Sequence, residues 1–404
     1  MARRTQRVTI LSLAAAVTLV AAACSSSSSS SGTSSTGGSS SSSSSKSPIS
    51  VGLLLGLSSA LSASVKSIEQ GIIYEIKQVN AAGGINGRQI KYYVLDDAGT
   101  TTGTTSAFLQ LVTADHVTAL LGVADNTQLV AMADEMVARH LYVPELGLAG
   151  PENLPAGSPA FNWVYGAGIN VEDVAKQQID FLVQHVGVKK IGVIYSSDEF
   201  GQGSLATVTA EAKTIGATIT SSQPISLTAT DLLAPMTKLK NSGAQGTMTF
   251  FDAIPGTIQG FLQARANLGW TPPTSFWDVY LGSAGLAISN PLLKNAYVSG
   301  FCNTSTPAYQ QFVQGTAAQM NFAGATVTQG AAAYVATQVL FHAMKSVNDP
   351  TNPTQVNNAI QTQTQNFPSL CGSGSVTLST TNHSFNLLVP IYSYINGQTS
   401  YLVP

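Results

Sequence analysis

Over residues 49–126 the chain alternates two hydrophobic periods, and that alternation limits what it can fold into. Ile49-Ser-Val-Gly-Leu-Leu-Leu-Gly56 is an apolar run too short for a helix, closed by the small-residue loop Leu57-Ser58-Ser59-Ala60, and reads as a buried strand. Val65, Ile68, Ile72, Ile76 and Val79 then recur at helical spacing until Ala82-Gly83-Gly84, where glycine supplies the left-handed conformation that ends a helix. A second strand is expected over 89–95, running into Asp96-Asp97, then a helix near 105–113 and a third strand over 117–122. Strand, helix, strand, helix, strand is the grammar of a parallel sheet with helices on its faces. Small ligands of such sheets sit beyond the carboxyl ends of the strands.

The N-terminus carries an address. Residues 1–23 combine Arg3, Arg4 and Arg7, an apolar stretch from Val8 to about Val20, and small residues before Cys24, the composition of an export signal. The apolar stretch is shorter than the roughly 20 residues that span a bilayer. Ala21-Ala22-Ala23-Cys24 resembles a bacterial lipobox, in which Cys24 is acylated, with alanine at the usual leucine position; Ala21-x-Ala23 also suits an ordinary signal peptidase. Residues 25–45 are almost pure serine with some glycine and threonine, which leaves nothing to bury and gives a solvated tether with ends roughly 25 Å apart. A lipid on Cys24 would give that tether a purpose. Assigning Cys24 to lipid leaves Cys302 and Cys371, an even pair in an oxidising setting, so a disulfide between them is expected; two buried thiols are the alternative.

The remaining 356 residues or so are too many for one ordinary core and suit two lobes. Charged residues are 9% of the chain, far below the roughly 25% usual in soluble domains, so Ser, Thr, Asn and Gln must coat the surface. Without the three signal arginines the chain has 15 Lys and Arg against 20 Asp and Glu, which argues against a nucleic acid partner. The periods continue: a helix over 127–139, a strand over 140–146 ending in Gly147-Leu148-Ala149-Gly150-Pro151, a helix over 171–186 and a strand over 189–195. Strands over 218–225, 246–251 and 274–279 then alternate with helices over 230–241 and 255–268. Helices over 308–321, 328–347 and 354–364 precede a final pair of strands, 385–395 and 399–402, flanking the hairpin signal Asn396-Gly397.

Gly71-Ile-Ile-Tyr-Glu-Ile-Lys-Gln-Val-Asn80-Ala-Ala-Gly83-Gly84-Ile-Asn-Gly87-Arg88, followed by Leu95-Asp96-Asp97, resembles the first lobe of the periplasmic solute-binding proteins that serve branched-chain amino acid transporters. The resemblance runs from about Ile49 to the C-terminus. It implies an α/β, two-lobed periplasmic-binding-protein type I fold, each lobe a mostly parallel sheet flanked by helices, with three hinge crossovers. The expected divisions are the signal (1–23), the lipidated cysteine and tether (24–48), the first lobe (49–166), the second lobe (167–300), a return to the first lobe (301–380) and C-terminal strands in the second (381–404).

In such relatives the position of Asn126 and Thr127 binds the ligand's carboxylate through a hydroxyl and backbone amides; Asn126 would also serve as a helix cap. The resemblance places further first-lobe contacts at Ser58, Ser59 and the Gly147, Leu148, Ala149 loop. An aromatic at the Phe200 position covers the ligand, although Phe200 could instead staple its helix to the sheet. The acid that pairs with a ligand ammonium should fall near Tyr280, which is not acidic; Asp278 lies two residues early and Asp252 closes the preceding strand, where it could alternatively cap the helix opening at Pro255. The family's nearby tyrosines correspond to Ala253 and Ile254. Leucine or valine is therefore not favoured over amides, small acids or aromatic compounds, and Tyr280 would suit a ring or a hydroxyl.

Catalytic chemistry has no candidate nucleophile. The five histidines are scattered, no metal spacing occurs, and Asp96-Asp97 read as a strand-end structural pair in preference to an acid and base. The expected function is that of a lipoprotein on the outer face of the cytoplasmic membrane. It would be a monomer without cofactor, taking a small solute to the permease subunits of an ABC transporter. A ligand sensor without a transport role is the alternative, and a surface hydrolase a third.

Overall fold

A computed structural model describes residues 46–167, 171–283, 291–304, 306–320, 328–362, 370–371, 376–378, 383–385, 391–395 and 398–403. The signal, Cys24, the serine tether and the Asn396-Gly397 turn lie outside these residues.

Two sheets organise the chain. The first contains β1 (Ile49–Leu55), β2 (Ile90–Asp96), β3 (Ala119–Leu121), β4 (Glu145–Gly147) and β5 (Val164–Gly166) in the order β2-β1-β3-β4-β5, every pair parallel. β1 is buried along all but Ser50, as its unbroken apolar run requires of a central strand, whereas β2 stands at the edge and is fully buried only at Ile90. α1 (Ser62–Ala81), α2 (Thr101–Leu109) and α3 (Asn126–Arg139) connect these strands.

The second sheet contains β6 (Lys190–Ser196), β7 (Thr218–Ile225), β8 (Gly246–Phe250), β9 (Thr274–Trp277) and β10 (Ala296–Ser299), parallel to one another. To these the antiparallel β11 (Ile391–Ile395) and β12 (Gln398–Val403) are added, in the order β12-β11-β10-β9-β8-β6-β7. Its connections are α4 (Val171–Asp180), α5 (Glu199–Thr214), α6 (Leu233–Asn241), α7 (Pro255–Asn267) and α8 (Asp278–Ser283). α9 (Pro307–Met320), α10 (Thr328–Ser346) and α11 (Pro353–Thr362) follow, and α10 returns to the first lobe to lie along α1. The approach is close: a Cβ on Gly71 would stand 2.0 Å from the Gly330 carbonyl oxygen, so only glycine fits there. That contact fixes the start of α10 beside the carboxyl ends of the first sheet.

Several boundaries differ from the sequence pattern for local reasons. α2 starts earlier, because the Thr100 hydroxyl accepts from the Gly103 amide, and both α2 and α4 run on into a π-helical turn, Gln110–Ala114 and Phe181–His185. His140 ends α3 in the left-handed conformation (φ 56°), which confines the strand expected over 140–146 to Glu145–Gly147. The strand expected to reach residue 279 stops at Trp277, and Asp278 opens α8.

The lobes are tied where the chain passes between them. The Gly166 amide donates to the His383 carbonyl and the Phe385 amide to the Gly166 carbonyl, both at 3.0 Å, while the His383 ring stacks on Tyr165 at 5.2 Å. A disulfide joins Cys302 to Cys371 across 69 residues, just after the chain leaves β10.

Candidate functional site

The carboxyl ends of both sheets face one cleft that is partly open to solvent. On the first-lobe side, the start of α1 contributes Leu61, Ser64 and Val65, and the β3–α3 turn contributes Ala124, Asp125 and Asn126. Asp125, not Asn126, is the cap: its backbone is extended and its Oδ1 accepts from the amides of Thr127 (2.8 Å) and Gln128 (3.3 Å). Asn126 is the first helical residue and lines the cleft; Thr127 is exposed and does not. Of the amides expected to meet a ligand carboxylate, that of Thr127 is thus held by the chain's own carboxyl group. Burial pushes Asp125 upward, and the charge of Asp198 adds to it against the pull of those amides. The sequence Asp125-Asn-Thr-Gln128 before an apolar helix is an N-cap signature that identifies Asp125 without the structure.

Ser58 and Ser59 do not reach this wall. Ser58 is exposed and its amide donates to Asp96 Oδ1 at 3.2 Å; Ser59 bonds within its own turn, to the Gly56 carbonyl (2.7 Å) and from the Leu61 amide (3.1 Å). Ser59 instead lines an adjoining recess that shares Leu61, Val65, Ala124 and Asp125 with the cleft. Asp96 and Asp97 act as the strand-end pair: Asp97 accepts from the Gly99 amide (2.7 Å) and the Thr104 hydroxyl (3.1 Å). From the β4 loop, Leu148 and Ala149 reach the cleft and Gly147 does not. A Cβ on Gly147 would stand 2.2 Å from the Val123 carbonyl oxygen, so its part is to let the loop pass. Gly150 and Glu152 complete this edge.

The second-lobe wall is aromatic. Phe200 lies in the first turn of α5 and not in a loop, with its ring edge-on to Trp277 at 6.1 Å; it both lines the cleft and packs on the core. Tyr280 also lines the cleft, but its hydroxyl donates to the Phe251 carbonyl (2.5 Å) and accepts from the Phe251 amide (3.3 Å) while its ring stacks on Phe251 at 5.0 Å. Tyr280 therefore offers a ring and no free hydroxyl. Trp277 donates its Nε1–H to the Thr249 carbonyl at 3.1 Å, which aims the indole along the wall.

Asp252 stands two residues beyond β8 and faces the cleft. It does not cap α7, whose N-cap is Ile254 with Pro255 following. Burial raises it well above the ordinary carboxylate range, and the charge of Asp198, a hydrogen bond to Asp198 and the charge of Asp125 push it further. Asp198 is fixed in turn, since its Oδ1 accepts from the Gly201 amide (2.9 Å) and the Ser196 hydroxyl (2.7 Å). Asp278 is excluded from the cleft. Its Oδ2 accepts from the Thr328 hydroxyl, which itself accepts from the Phe301 amide at 2.6 Å, and burial pushes the carboxyl to about 7. From beyond the hinge, Phe301 and Gln329 close the cleft, and no local sequence signal marks either as a site residue.

Two lobes closing on one cleft define a bilobed binding protein. The periplasmic binding protein family model matches residues 48–398, and the chain belongs to that family. Its members bind solutes and are not enzymes. Among curated relatives, a Leu/Ile/Val-binding protein homologue from Brucella abortus is 22% identical over 338 residues, 78% of this chain and 80% of that protein. Among solved structures, the branched-chain amino acid transporter substrate-binding protein of Streptococcus pneumoniae with isoleucine superposes at TM-score 0.74 with 18% identity, covering 88% of this chain and all of that one. A second neighbour, the R. palustris ABC transporter solute-binding protein with benzoate, gives 0.73 and 16%, over 88% and 95% of the two chains. Membership of the family places the chain outside the cytoplasm.

Proposed function

We propose that the chain captures a small polar solute between its lobes and delivers it to an ABC importer, held at the outer face of the membrane by a lipid on Cys24. The observation that carries this reading is the cleft itself: its walls come from both lobes, and its lining is apolar with a few polar groups. A solute touching Asp125 and Asn126 on one side and Phe200 and Asp252 on the other has different contacts in open and closed forms, which is the condition for a ligand to shift that equilibrium. The permease would then read the closed form. The names of the relatives support the transport role.

Native mass spectrometry of protein purified without refolding tests the capture step. A small non-covalent mass lost on mild activation is expected. No such mass, together with no thermal shift from amino acids, amides, amines or small acids, would overturn it. Cys24→Ala should move the protein out of the membrane fraction; retention there would remove the lipid anchor.

A further inference from the structure

We propose that the solute is an organic cation, an amine or guanidine on an apolar body with no carboxylate of its own. This rests on the solute-receptor reading and narrows it. The first ground is what the wall lacks: the described residues lining the cleft include no Lys, Arg or His, so among them a ligand carboxylate would meet no side-chain cation. The second is the N-terminus of α3, one of the helix starts on the cleft wall and by its dipole suited to an anion. Asp125 already accepts from two of its leading amides, those of Thr127 and Gln128, and sets a carboxyl group beside them. An incoming carboxylate would have to displace or face it, and like charges in a partly desolvated site repel strongly.

The third ground is what the wall offers. Asp125, Asp252 and Glu152 come from three segments of two lobes, and Asp198 backs Asp252. Two acceptors stand idle: Glu152 Oε2 and Gln329 Oε1 are shielded from solvent and have no hydrogen-bond partner among the described residues, although both residues line the cleft. Buried acceptors without donors call for a group rich in N–H. Facing them are the rings of Phe200, Phe251, Trp277, Tyr280 and Phe301, which suit an apolar body and attract a cation to their faces. A metal ion is a poorer occupant, because among the described residues no three His, Cys, Asp or Glu are arranged to hold one.

Proton linkage follows from the same groups. Asp252 lines the cleft with Asp125, Glu152 and Tyr280 and is hydrogen-bonded to Asp198; burial and the charges of Asp198 and Asp125 disfavour its ionised form in the empty cleft, and a bound cation favours it. Affinity should therefore rise with pH.

Matched probes separate the ligand charges. Leucine, isoamylamine and 4-methylpentanoate share the 3-methylbutyl body and carry both charges, the ammonium alone and the carboxylate alone; phenylalanine and phenethylamine repeat the comparison with a ring. The assay is calorimetric titration of the purified protein after removal of any retained solute. Isoamylamine or phenethylamine should bind at least roughly tenfold tighter than its amino acid, with proton release seen as a heat that changes between phosphate and Tris buffers. Asp252→Asn should lose that binding, and Asp125→Ser, which removes the charge and frees an amide, should admit leucine. Leucine or 4-methylpentanoate binding as tightly as isoamylamine would overturn the cationic class while leaving the solute receptor standing. Neither amine binding at about 10 mM would also overturn it, and native mass spectrometry then decides separately whether any solute is carried.

Discussion

Asp252 and Asp278 stand at the carboxyl ends of neighbouring strands, β8 and β9, and the chain uses them differently. Both carboxyls are pushed up by burial. Asp278 meets an alcohol, Thr328 at the start of α10, which also receives the Phe301 amide, and the three groups form a tie between the second sheet and the first-lobe helix beside the disulfide. Asp252 meets another carboxylate, Asp198, and opens onto the cleft. The partner decides the outcome: a donor completes the Asp278 side within the fold, while two acids held together remain electrostatically incomplete until a cation arrives. Strongly perturbed carboxyls facing a cavity are for that reason better site candidates than equally buried ones behind it.

Breaking the structural side should cost most in stability and least in binding. Replacing both Cys302 and Cys371 by Ser opens a loop of 69 residues' separation, for which chain entropy gives about 4 kcal/mol. The denaturation midpoint should fall accordingly while the affinity of the folded protein for isoamylamine stays within about threefold; a comparable loss of affinity would show that the hinge tie and the cleft act as one unit.

Asp252→Asn reverses the pattern. Loss of the paired charge should weaken isoamylamine by about 3 kcal/mol, roughly 100-fold, in calorimetry. The empty protein should be no less stable, since a disfavoured buried acid has been made neutral. Asp278→Asn should leave that affinity alone, and equal losses in both variants would erase the distinction between the two aspartates.

The tie has its own pH signature. Asp278 rises to about 7 in the folded chain, so between the ordinary carboxylate range and pH 7 the native state holds more protons than the unfolded one. Stability is then greatest on the acid side of that window, declines as pH rises through it and levels off above about 7. Glu75, also raised to about 7 by burial, contributes a slope of the same sign. Asp278→Asn should remove its own share, a gain on the order of 2 kcal/mol at pH 8 and little at pH 4, measured by urea unfolding at both. An unchanged slope would mean that Thr328 keeps Asp278 ionised throughout.

The architecture was legible because it rests on periods. Ile49 to Leu55 could only be a buried strand, and the helical spacing from Val65 to Val79 survives in α1. The cleft was legible by position and not by side chain. The β3–α3 turn was identified, yet Asp125 took the capping role assigned to Asn126, since an aspartate before two free amides is the stronger acceptor. Ser58 and Ser59 stand in the right loop but spend their hydrogen bonds locally. Asp252 and Asp278 were equivalent in sequence, both acids at strand ends, and only the contact with Thr328, 50 residues further on, separates them. Phe301 and Gln329 arrive from beyond the hinge, where no local pattern reports on a distant wall.

Phe200 sharpens the comparison at its weakest point, because it belongs to both sides. Its ring is edge-on to Trp277 within the core and also faces the cleft. Phe200→Leu keeps most of the apolar contact and loses the aromatic face, so a pure packing role predicts a stability change under about 1.5 kcal/mol with unaltered isoamylamine affinity. A role over the ligand predicts about 1 kcal/mol lost in binding, roughly fivefold, because a cation at a desolvated ring face is attracted by about that much. Measured against 3-methylbutan-1-ol, which has the same apolar body and no charge, that loss should vanish. An equal loss for the alcohol would assign Phe200 to shape alone and leave the charge recognition to Asp252 and Asp125.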